Sequence, residues 1–294
     1  MSSIAQKTIE TRLIGAARTT RALRVVTTEL PHVYRKRFGQ HFLHERGVIA
    51  KIIDALALHA GDRVVEIGPG LGALTDHLSP RLDHLHVIEL DRDLAAWVRE
   101  RYSPEKLTVH EGDALEFDLA SLGDNIRLVG NLPYNISTPL LFHFAAFRDR
   151  LRDGHFMLQR EVVERMAAAP STPAYGRLSV MLQLDFEMEL LFRIAPGAFK
   201  PPPKVESAIV RMIPLETRPF ELPDRELFAQ IVTRAFTQRR KTLRNSLQTF
   251  LSPADFPSIA IDPMARAENL GVSDYAKITH YVALRASTSA APRA

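Results

Sequence analysis

The strongest constraint on the fold of this chain is an alternation of short apolar segments with segments of helical periodicity between residues 48 and 213. The apolar segments predict strands, and they are RVVEIG (63–68), LHVIEL (85–90), LTVH (107–110), IRLVG (126–130) and HFMLQ (155–159). The helical segments lie at residues 48–58, 74–78, 94–101, 139–147 and 178–184. Near-continuous apolar strands separated by helices indicate an α/β protein whose mostly parallel sheet is covered on both faces. The segments 188–194 and 207–213 predict a terminal hairpin, and therefore an antiparallel last strand.

The chain changes character after Pro214. The segment LETRPFELPDR contains two prolines and predicts a linker. The helical segments that follow have no strand between them, and they are RELFAQIVTRAFTQ, KTLRNSLQTFL and residues 273–284. We therefore predict an α/β domain over residues 34–216 and a small all-α domain over residues 217–294, with a flexible C-terminal tail.

The first 33 residues are predicted to form a flexible N-terminal extension. Residues 1–26 contain five basic side chains against the single acid Glu10. This composition is typical of an organellar transit peptide. A frayed extension or a start codon placed too early explains it as well, and we prefer that explanation.

Composition excludes several classes of protein. The chain has no cysteine, which excludes disulfides, thiolate metal sites and cysteine nucleophiles. No apolar run approaches the ~20 residues of a membrane span. The net charge of +4, from 38 basic and 34 acidic side chains, is a weak indication of a polyanionic partner. We expect a cytoplasmic monomer.

The first predicted strand ends in a glycine-rich turn, EIGPGLGA, that contains Gly68, Gly70 and Gly72. Such glycines let the backbone turn sharply and approach a ligand at a helix N-terminus. The turn also satisfies the dinucleotide pattern G-x-G-x-x-G/A, and Glu89 lies where a ribose-binding acid is expected. A nicotinamide-dependent dehydrogenase is therefore an alternative at this point. A turn without a ligand would leave the position of Glu89 unexplained.

Asp113 follows the third predicted strand, at the same edge of the sheet as Gly68 and Glu89. Its carboxylate could accept a hydrogen bond from the amino group of an adenine. An isolated Asp here would more commonly cap a helix or form an Asx turn. Suitable polar groups at three successive strand ends favour a cofactor that contains adenosine and needs no diphosphate.

The segment NLPY follows the fourth strand and predicts a clamp for a target base, although an ordinary loop is the simpler alternative. Asn131 offers a side-chain carbonyl, and Pro133 can hold the Leu132 carbonyl away from the sheet because it lacks an N–H. Tyr134 offers a flat face for stacking. Two acceptors beside one aromatic face suit an amino group on a heteroaromatic ring. They stabilise the transition state more than the ground state as the nitrogen pyramidalises, so neither a metal nor a strong base is required.

Two basic stretches predict contact with nucleic acid. In the first, YRKRFGQHF, the consecutive cations Arg35, Lys36 and Arg37 are interleaved with aromatic residues, lying between Tyr34 and Phe38, as in single-strand binders. The second extends from Leu227 to Ala254 without one acidic residue, and it contains Arg234, Arg239, Arg240, Lys241 and Arg244. A solvated helix face is the usual explanation of basic residues. The absence of interspersed acids favours phosphate contacts.

Seven motifs in a fixed order give the chain a specific resemblance. They are RFGQHFL (37–43), EIGPGLGALT (66–75), Glu89, GDAL (112–115), NLPYNIS (131–137), FKPPPKVESAIV (199–210) and FTQRRKTLRNSL (236–247). Over about residues 34–285 the chain resembles the bacterial small-subunit rRNA adenine-N6 dimethyltransferases. The resemblance implies a Rossmann-like class I methyltransferase sheet, S-adenosyl-L-methionine as methyl donor, and two methyl groups on N6 of each of two adjacent adenines near the 3′ end of 16S rRNA. The implied partner is 16S rRNA within the small ribosomal subunit or its precursor.

The resemblance also implies roles for individual residues. Those expected to bind the cofactor are His41, Leu43, Glu66, Gly68, Gly70, Glu89 for the ribose hydroxyls, Asp113 for the adenine, and Asn131. The catalytic residues would be Asn131 and Leu132 beside the target amine, Tyr134 stacked on the flipped base, and Phe199 closing its other face. Family members often have Asn where this chain has His41, so a backbone contact and a side-chain contact both stay open there. FKPPPK could bind a partner domain as a polyproline segment, but beside the target pocket it is better explained as a rigid wall.

Two further functions stay open beside this one. The first is a large-subunit rRNA adenine methyltransferase of the macrolide-resistance type, although segment 199–204 and RRKTLRNSL favour the small-subunit type. The second is an RNA-binding factor that checks ribosome assembly and has little enzymatic role. The dehydrogenase is disfavoured because it has no use for NLPY.

Overall fold

The structure is a computed structural model that describes residues 41–218 and 220–290 of the 294-residue chain. The predicted N-terminal extension and the predicted RNA contacts Arg35, Lys36 and Arg37 lie outside the described residues. No described helix is both long enough and apolar enough to cross a membrane. By their contacts, the described residues all belong to one compact unit.

The described part of the chain alternates strands and helices up to residue 214 and is mainly helical afterwards. The strands are β1 (Phe42–Leu43), β2 (Arg63–Ile67), β3 (Leu85–Glu89), β4 (Leu107–Glu111), β5 (Ile126–Asn131), β6 (Leu151–Gln159), β7 (Phe186–Ile194), β8 (Phe199–Lys200) and β9 (Ser207–Pro214). The helices are α1 (Arg46–Leu56), α2 (Thr75–Leu78), α3 (Arg92–Arg101), α4 (Ser137–Ala146), α5 (Arg160–Met166), α6 (Arg177–Gln183), α7 (Arg225–Thr237), α8 (Leu243–Ser246), α9 (Phe256–Ile259) and α10 (Val272–Ala290).

Seven of these strands form one sheet in the order β4-β3-β2-β5-β6-β9-β7. Every neighbouring pair from β4 to β6 is parallel, and β9 is antiparallel to both β6 and β7. The predicted pairing of the last two long strands is therefore correct. However, β9 inserts between β6 and β7, so the antiparallel strand is last in sequence but internal in the sheet.

Apolar side chains cover both faces of the sheet. In β5, Leu128 packs in the cluster formed with α4, whereas the next residue, Val129, packs in the cluster formed with α1. In β3, Val87 packs in the cluster formed with α1, and Ile88 packs in the cluster formed with α4. Successive residues of a strand point to opposite faces, so a strand buried on both sides has to be apolar throughout.

The C-terminal helices share a buried core cluster with helix α6 of the α/β part of the chain. Phe228 of α7 and Tyr275 of α10 are fully buried in one cluster with Val180 and Met181 of α6. The boundary between residues 216 and 217 stays a prediction, because the residues on its two sides share this core.

Candidate active site

The glycine-rich turn between β2 and α2 has a backbone that only glycine adopts readily. The φ angles of Gly68, Gly70 and Gly72 are 67°, 56° and 86°, in the left-handed region that a Cβ disfavours. A Cβ on Gly68 would meet no atom within 4 Å, whereas a Cβ on Gly70 would lie 3.2 Å from the ring of Phe42. The turn therefore leaves open space beside Gly68 at the carboxyl end of the sheet.

Glu89 at the end of β3 is fixed by two backbone amides. The Gly70 N–H donates to its Oε2 at 3.2 Å, and the Asp91 N–H donates to its Oε1 at 2.9 Å. Burial raises the pKa of Glu89, and the two N–H groups oppose that rise. The carboxyl group thus joins the glycine turn to β3 in a fixed orientation, and each of its oxygens can accept a further hydrogen bond.

Glu66 of β2 is directed into the protein. Its side chain is buried, and the Thr75 hydroxyl at the start of α2 donates to its Oε2 at 2.7 Å. Burial raises the pKa of Glu66 to about 8, and the charges of Glu89 and Asp76 act in the same direction. In the structure the Glu66 carboxyl group therefore lies beneath the glycine-rich turn and contacts Thr75. Its assignment as a cofactor ligand stays a prediction.

Asp113 forms the Asx turn that the sequence offered as the simpler alternative. Its Oδ1 accepts from the Leu115 N–H at 2.9 Å. Among the described residues, no group donates to its Oδ2. Asp113 is partly exposed just after β4, and β4 pairs with β3 up to Glu89↔Glu111. One oxygen can therefore shape the loop while the other accepts from a ligand.

The clamp residues are held in a defined orientation. The Asn131 Nδ2 donates to the His41 carbonyl at 2.9 Å, which leaves its Oδ1 to accept from another group. The Leu132 N–H donates to the Met157 carbonyl at 3.2 Å, and nothing in the described part of the chain donates to the Leu132 carbonyl. The Tyr134 hydroxyl lies 2.6 Å from the hydroxyl of Ser207 in a hydrogen bond. Two acceptors and one aromatic ring thus occur together at the end of β5.

A short antiparallel ladder brings the N-terminal motif to the proline-rich segment. Strands β1 and β8 pair with Leu43 opposite Phe199. Both side chains lie in the core cluster beneath the sheet edge, with exposures of 6% and 2%. In this arrangement the Phe199 ring packs against the core, and its stacking on a target base stays a prediction.

The predicted RNA contacts of the C-terminal helices differ in their environments. Arg239 donates to the Glu268 carboxylate at 2.6 Å and to the Pro173 carbonyl at 2.9 Å. Arg234 is half-buried, and its Nε has no hydrogen-bond partner among the described residues. Of the predicted contacts, Arg240, Lys241 and Arg244 are exposed and have no ion-pair partner in the described ranges. These three side chains are available to a polyanion, whereas Arg239 is occupied within the protein.

The site residues fit an adenosine-containing methyl donor. Gly68 provides open space, Glu89 provides an oriented carboxylate, and Asp113 provides an oxygen that no described group occupies. All three lie at the carboxyl ends of parallel strands along one sheet edge, where open α/β sheets bind ligands. The family model of ribosomal RNA adenine dimethylases matches residues 32–284. The chain belongs to this family.

Relatives within the ribosomal RNA adenine dimethylase family agree with this assignment. The chain is 60% identical over 254 residues to a ribosomal RNA small subunit methyltransferase A of Aromatoleum aromaticum, covering 86% of this chain and 96% of that protein. It is 59% identical over 254 residues to the protein of the same name from Thiobacillus denitrificans, covering 86% and 100%.

Two solved structures share the fold of this dimethylase-family chain. A dimethyladenosine transferase from Plasmodium falciparum has a TM-score of 0.70 at 26% identity, covering 84% of this chain and 98% of that one. The 23S rRNA methyltransferase ErmE has a TM-score of 0.64 at 24% identity, covering 82% and 99%. The predicted Rossmann-like class I methyltransferase fold is confirmed. At its level of identity, the ErmE comparison shows the fold alone.

The sequence did not identify two groups that hold the clamp of this dimethylase-family member. One is the buried hydroxyl of Ser207, which bonds Tyr134, and the other is the Pro201 carbonyl, which accepts from the His41 Nδ1 at 2.8 Å. Both belong to the motif FKPPPKVES (199–207). Their inclusion in that motif was the available signal, but no local pattern shows that they bond residues far away in sequence.

Proposed function

We propose that this protein transfers methyl groups from S-adenosyl-L-methionine to N6 of two adjacent adenines near the 3′ end of 16S rRNA, in the small ribosomal subunit or its precursor. The orientation of Asn131 carries the proposal. Its Nδ2 is bonded to the His41 carbonyl, so its Oδ1 is the atom that can accept from a target amine. Membership of the ribosomal RNA adenine dimethylase family supports the same reaction.

The residues at the carboxyl edge of the sheet would hold the donor. Glu89 would accept from the ribose hydroxyls, Asp113 Oδ2 would accept from the adenine amino group, and the backbone at Gly68 would allow close approach. When bound, S-adenosyl-L-methionine supplies an electrophilic methyl group. The protein then has to place one nucleophile in line with it, and positioning alone lowers the barrier substantially.

Asn131 and Leu132 would activate the target amine. Their carbonyl oxygens would accept its two N–H groups, and both bonds strengthen as the nitrogen pyramidalises and becomes more acidic. When bound, the donor would supply the methyl carbon that the nitrogen attacks and the sulfur that leaves, and the nitrogen would release its proton to solvent after the attack. No group at the site has to remove that proton beforehand.

Tyr134 would hold the base in the plane of these acceptors. An adenine in a helix has to leave its stack to reach an enclosed site. The hydrogen bond between Tyr134 and Ser207 fixes the phenol ring at its outer end, so one face of the ring is presented in a constant orientation. Stacking on an aromatic side chain stabilises a base by about 1–3 kcal/mol.

A second candidate function is that of an RNA-binding assembly factor. The exposed side chains of Arg240, Lys241 and Arg244 favour it, because they can contact phosphates whether or not methyl transfer occurs. The large-subunit alternative is less well supported. The relatives that are 59–60% identical are named small subunit methyltransferases, whereas ErmE is 24% identical.

Transfer of labelled methyl groups to under-methylated small subunits tests the proposal. We expect the wild-type protein to produce N6,N6-dimethyladenosine, and Asn131→Ala to lower the rate by about 10²–10³-fold, the typical effect of losing one preorganised electrostatic contact. Asn135→Ala, in the same loop but exposed, is the matched control and should stay within about threefold of wild type. Tight subunit binding by the wild type without methyl transfer would instead indicate the assembly factor.

A further inference from the structure

His41 makes contacts in two directions. Its Nδ1 donates to the Pro201 carbonyl at 2.8 Å, while its own carbonyl accepts from the Asn131 Nδ2 at 2.9 Å. Its ring also lies 5.7 Å from the ring of Tyr134, tilted by 32°. One residue thus contacts the proline-rich segment and two members of the clamp.

The register of the β1–β8 ladder explains why a side chain is needed here. Phe42 pairs with Lys200, so the next step would place His41 opposite Pro201. Proline has no N–H and cannot donate to a further rung of the ladder. The hydrogen bond from Nδ1 to the Pro201 carbonyl joins the two segments at the position where backbone pairing ends.

The contact with the His41 carbonyl determines which end of the Asn131 amide faces the site. A 180° rotation of that amide would place Oδ1 against the His41 carbonyl, so that two acceptors faced each other without a proton between them. It would also direct the Nδ2 group, a donor, at the target amine. The observed rotamer avoids both effects, and its stability depends on the position of the His41 carbonyl.

We propose that His41 is a positioning residue. Its side chain fixes the proline-rich segment 199–204, and its carbonyl fixes the orientation of the Asn131 amide. One residue therefore positions both the target-base clamp and the wall of the pocket beside it. The inference deepens the proposed function and rests on it. Of the two kinds of cofactor contact that the sequence left open at His41, the inference disfavours the one through the side chain. The side chain acts through Asn131 and Pro201, and its removal should affect turnover rather than binding of the methyl donor.

Two variants distinguish the contribution of the His41 aromatic ring from that of its N–H donor. His41→Asn keeps a donor on Cγ, where Nδ1 of histidine is attached, and His41→Phe keeps a ring without a donor. We expect His41→Phe to lower kcat by about tenfold, the effect on a rate of losing one neutral hydrogen bond. Its Kd for S-adenosyl-L-methionine, measured by calorimetry, should stay within about twofold of wild type. His41→Asn should recover kcat to within about twofold.

Two outcomes of these measurements would overturn the proposal. A weaker Kd in His41→Phe with kcat unchanged would make the side chain a cofactor contact. Equal losses of kcat in His41→Asn and His41→Phe would show that the donor is irrelevant.

A measurement without turnover separates this inference from the proposed function. In ¹⁵N NMR spectra of histidine-labelled protein, the His41 Nδ1 should carry a proton, because that nitrogen faces the Pro201 carbonyl. A proton on Nε2 alone would overturn the inference, whatever reaction the protein catalyses. If the wild type failed to form N6,N6-dimethyladenosine while His41 carried its proton on Nδ1, the proposed reaction would fail and the positioning contact would stand.

Discussion

Glu66 shows how burial controls a single carboxyl group in this protein. Its side chain is 2% exposed beneath the glycine turn, and the Thr75 hydroxyl is its hydrogen-bond donor. Burial raises its pKa to about 8 from an ordinary value of 4.5. At neutral pH the folded protein therefore keeps a proton on Glu66 that the unfolded chain releases.

This proton gives stability a pH dependence of known sign. Between about pH 4.5 and about pH 8 the folded state binds more protons than the unfolded state, so the free energy of unfolding falls as pH rises, by up to about 1.4 kcal/mol per pH unit. We expect Glu66→Gln to flatten this slope in the cofactor-free protein, as measured by urea denaturation at several pH values. Glu100→Gln, on an exposed position of α3, should keep the wild-type slope. Identical slopes in wild type and Glu66→Gln would contradict the assignment.

Asp185 joins several elements through one carboxylate. It lies between α6 and β7, is completely buried, and accepts hydrogen bonds from Arg148, Arg218 and Arg225. Burial opposes its ionisation, but the hydrogen bonds from Arg225 and Arg218 outweigh burial and hold the pKa of Asp185 below its ordinary value. Because Arg225 belongs to α7, the carboxylate ties the sheet to the C-terminal helices.

Removing this charge should destabilise the protein strongly. Asp185→Asn would leave three arginines around a neutral buried amide, and loss of one partner from a buried ion pair costs about 3–5 kcal/mol. Asp149→Asn is the matched control, because Asp149 also pairs with Arg148 but its side chain is 87% exposed. We expect that control to change the free energy of unfolding by less than about 0.5 kcal/mol. Similar losses for the two variants in urea titrations would show that the buried position of Asp185 is unimportant.

The elements that the sequence predicted best are those with the strongest periodicity. The five parallel strands were found because each is short, apolar and bounded by turns. Helix α5 was missed, since its seven residues follow β6 without a break. The helix predicted from residue 241 to residue 251 was wrong beyond α8, whose regular part has four residues. Beyond Ser246 the N–H groups of Phe250 and Leu251 both donate to the Leu247 carbonyl, so the segment continues as hydrogen-bonded turns rather than as a regular helix.

For the candidate site, the sequence predicted the functional groups but not the residues that hold them in place. Its chemical groups could be named from motifs because Glu89 and Asn131 end their strands and Tyr134 follows β5 by three residues. Their supports could not, since Ser207 lies 73 residues from Tyr134 and Pro201 lies 160 residues from His41. Such pairs depend on the order of strands in the sheet, which no local pattern contains.

At the scale of the whole molecule, the exposed cations of the C-terminal helices predict how binding to the subunit responds to salt. Each phosphate contact releases counterions, so replacing Arg240, Lys241 and Arg244 by Ala should weaken subunit binding. It should also reduce the slope of log K against log salt concentration by about two to three. Filter binding at several salt concentrations measures both quantities. Arg239→Ala is the control, because that arginine is paired with Glu268 and should leave the slope nearly unchanged. An unaltered slope in the triple variant would place the phosphate contacts elsewhere.

The internal position of β9 also has a consequence for folding during synthesis. Strand β7 pairs only with β9 in the seven-stranded sheet, so it has no neighbour while the ribosome is still translating the residues that precede Ser207. The sheet reaches its full width only after Pro214 has emerged from the exit tunnel. A nascent chain arrested before that point would contain β2 to β6 with β6 as an edge strand that β9 covers in the complete sheet, and such an unpaired edge is open to aggregation. The wall of the target pocket, which lies between β7 and β9 in sequence, would therefore be among the last parts of the α/β unit to be completed.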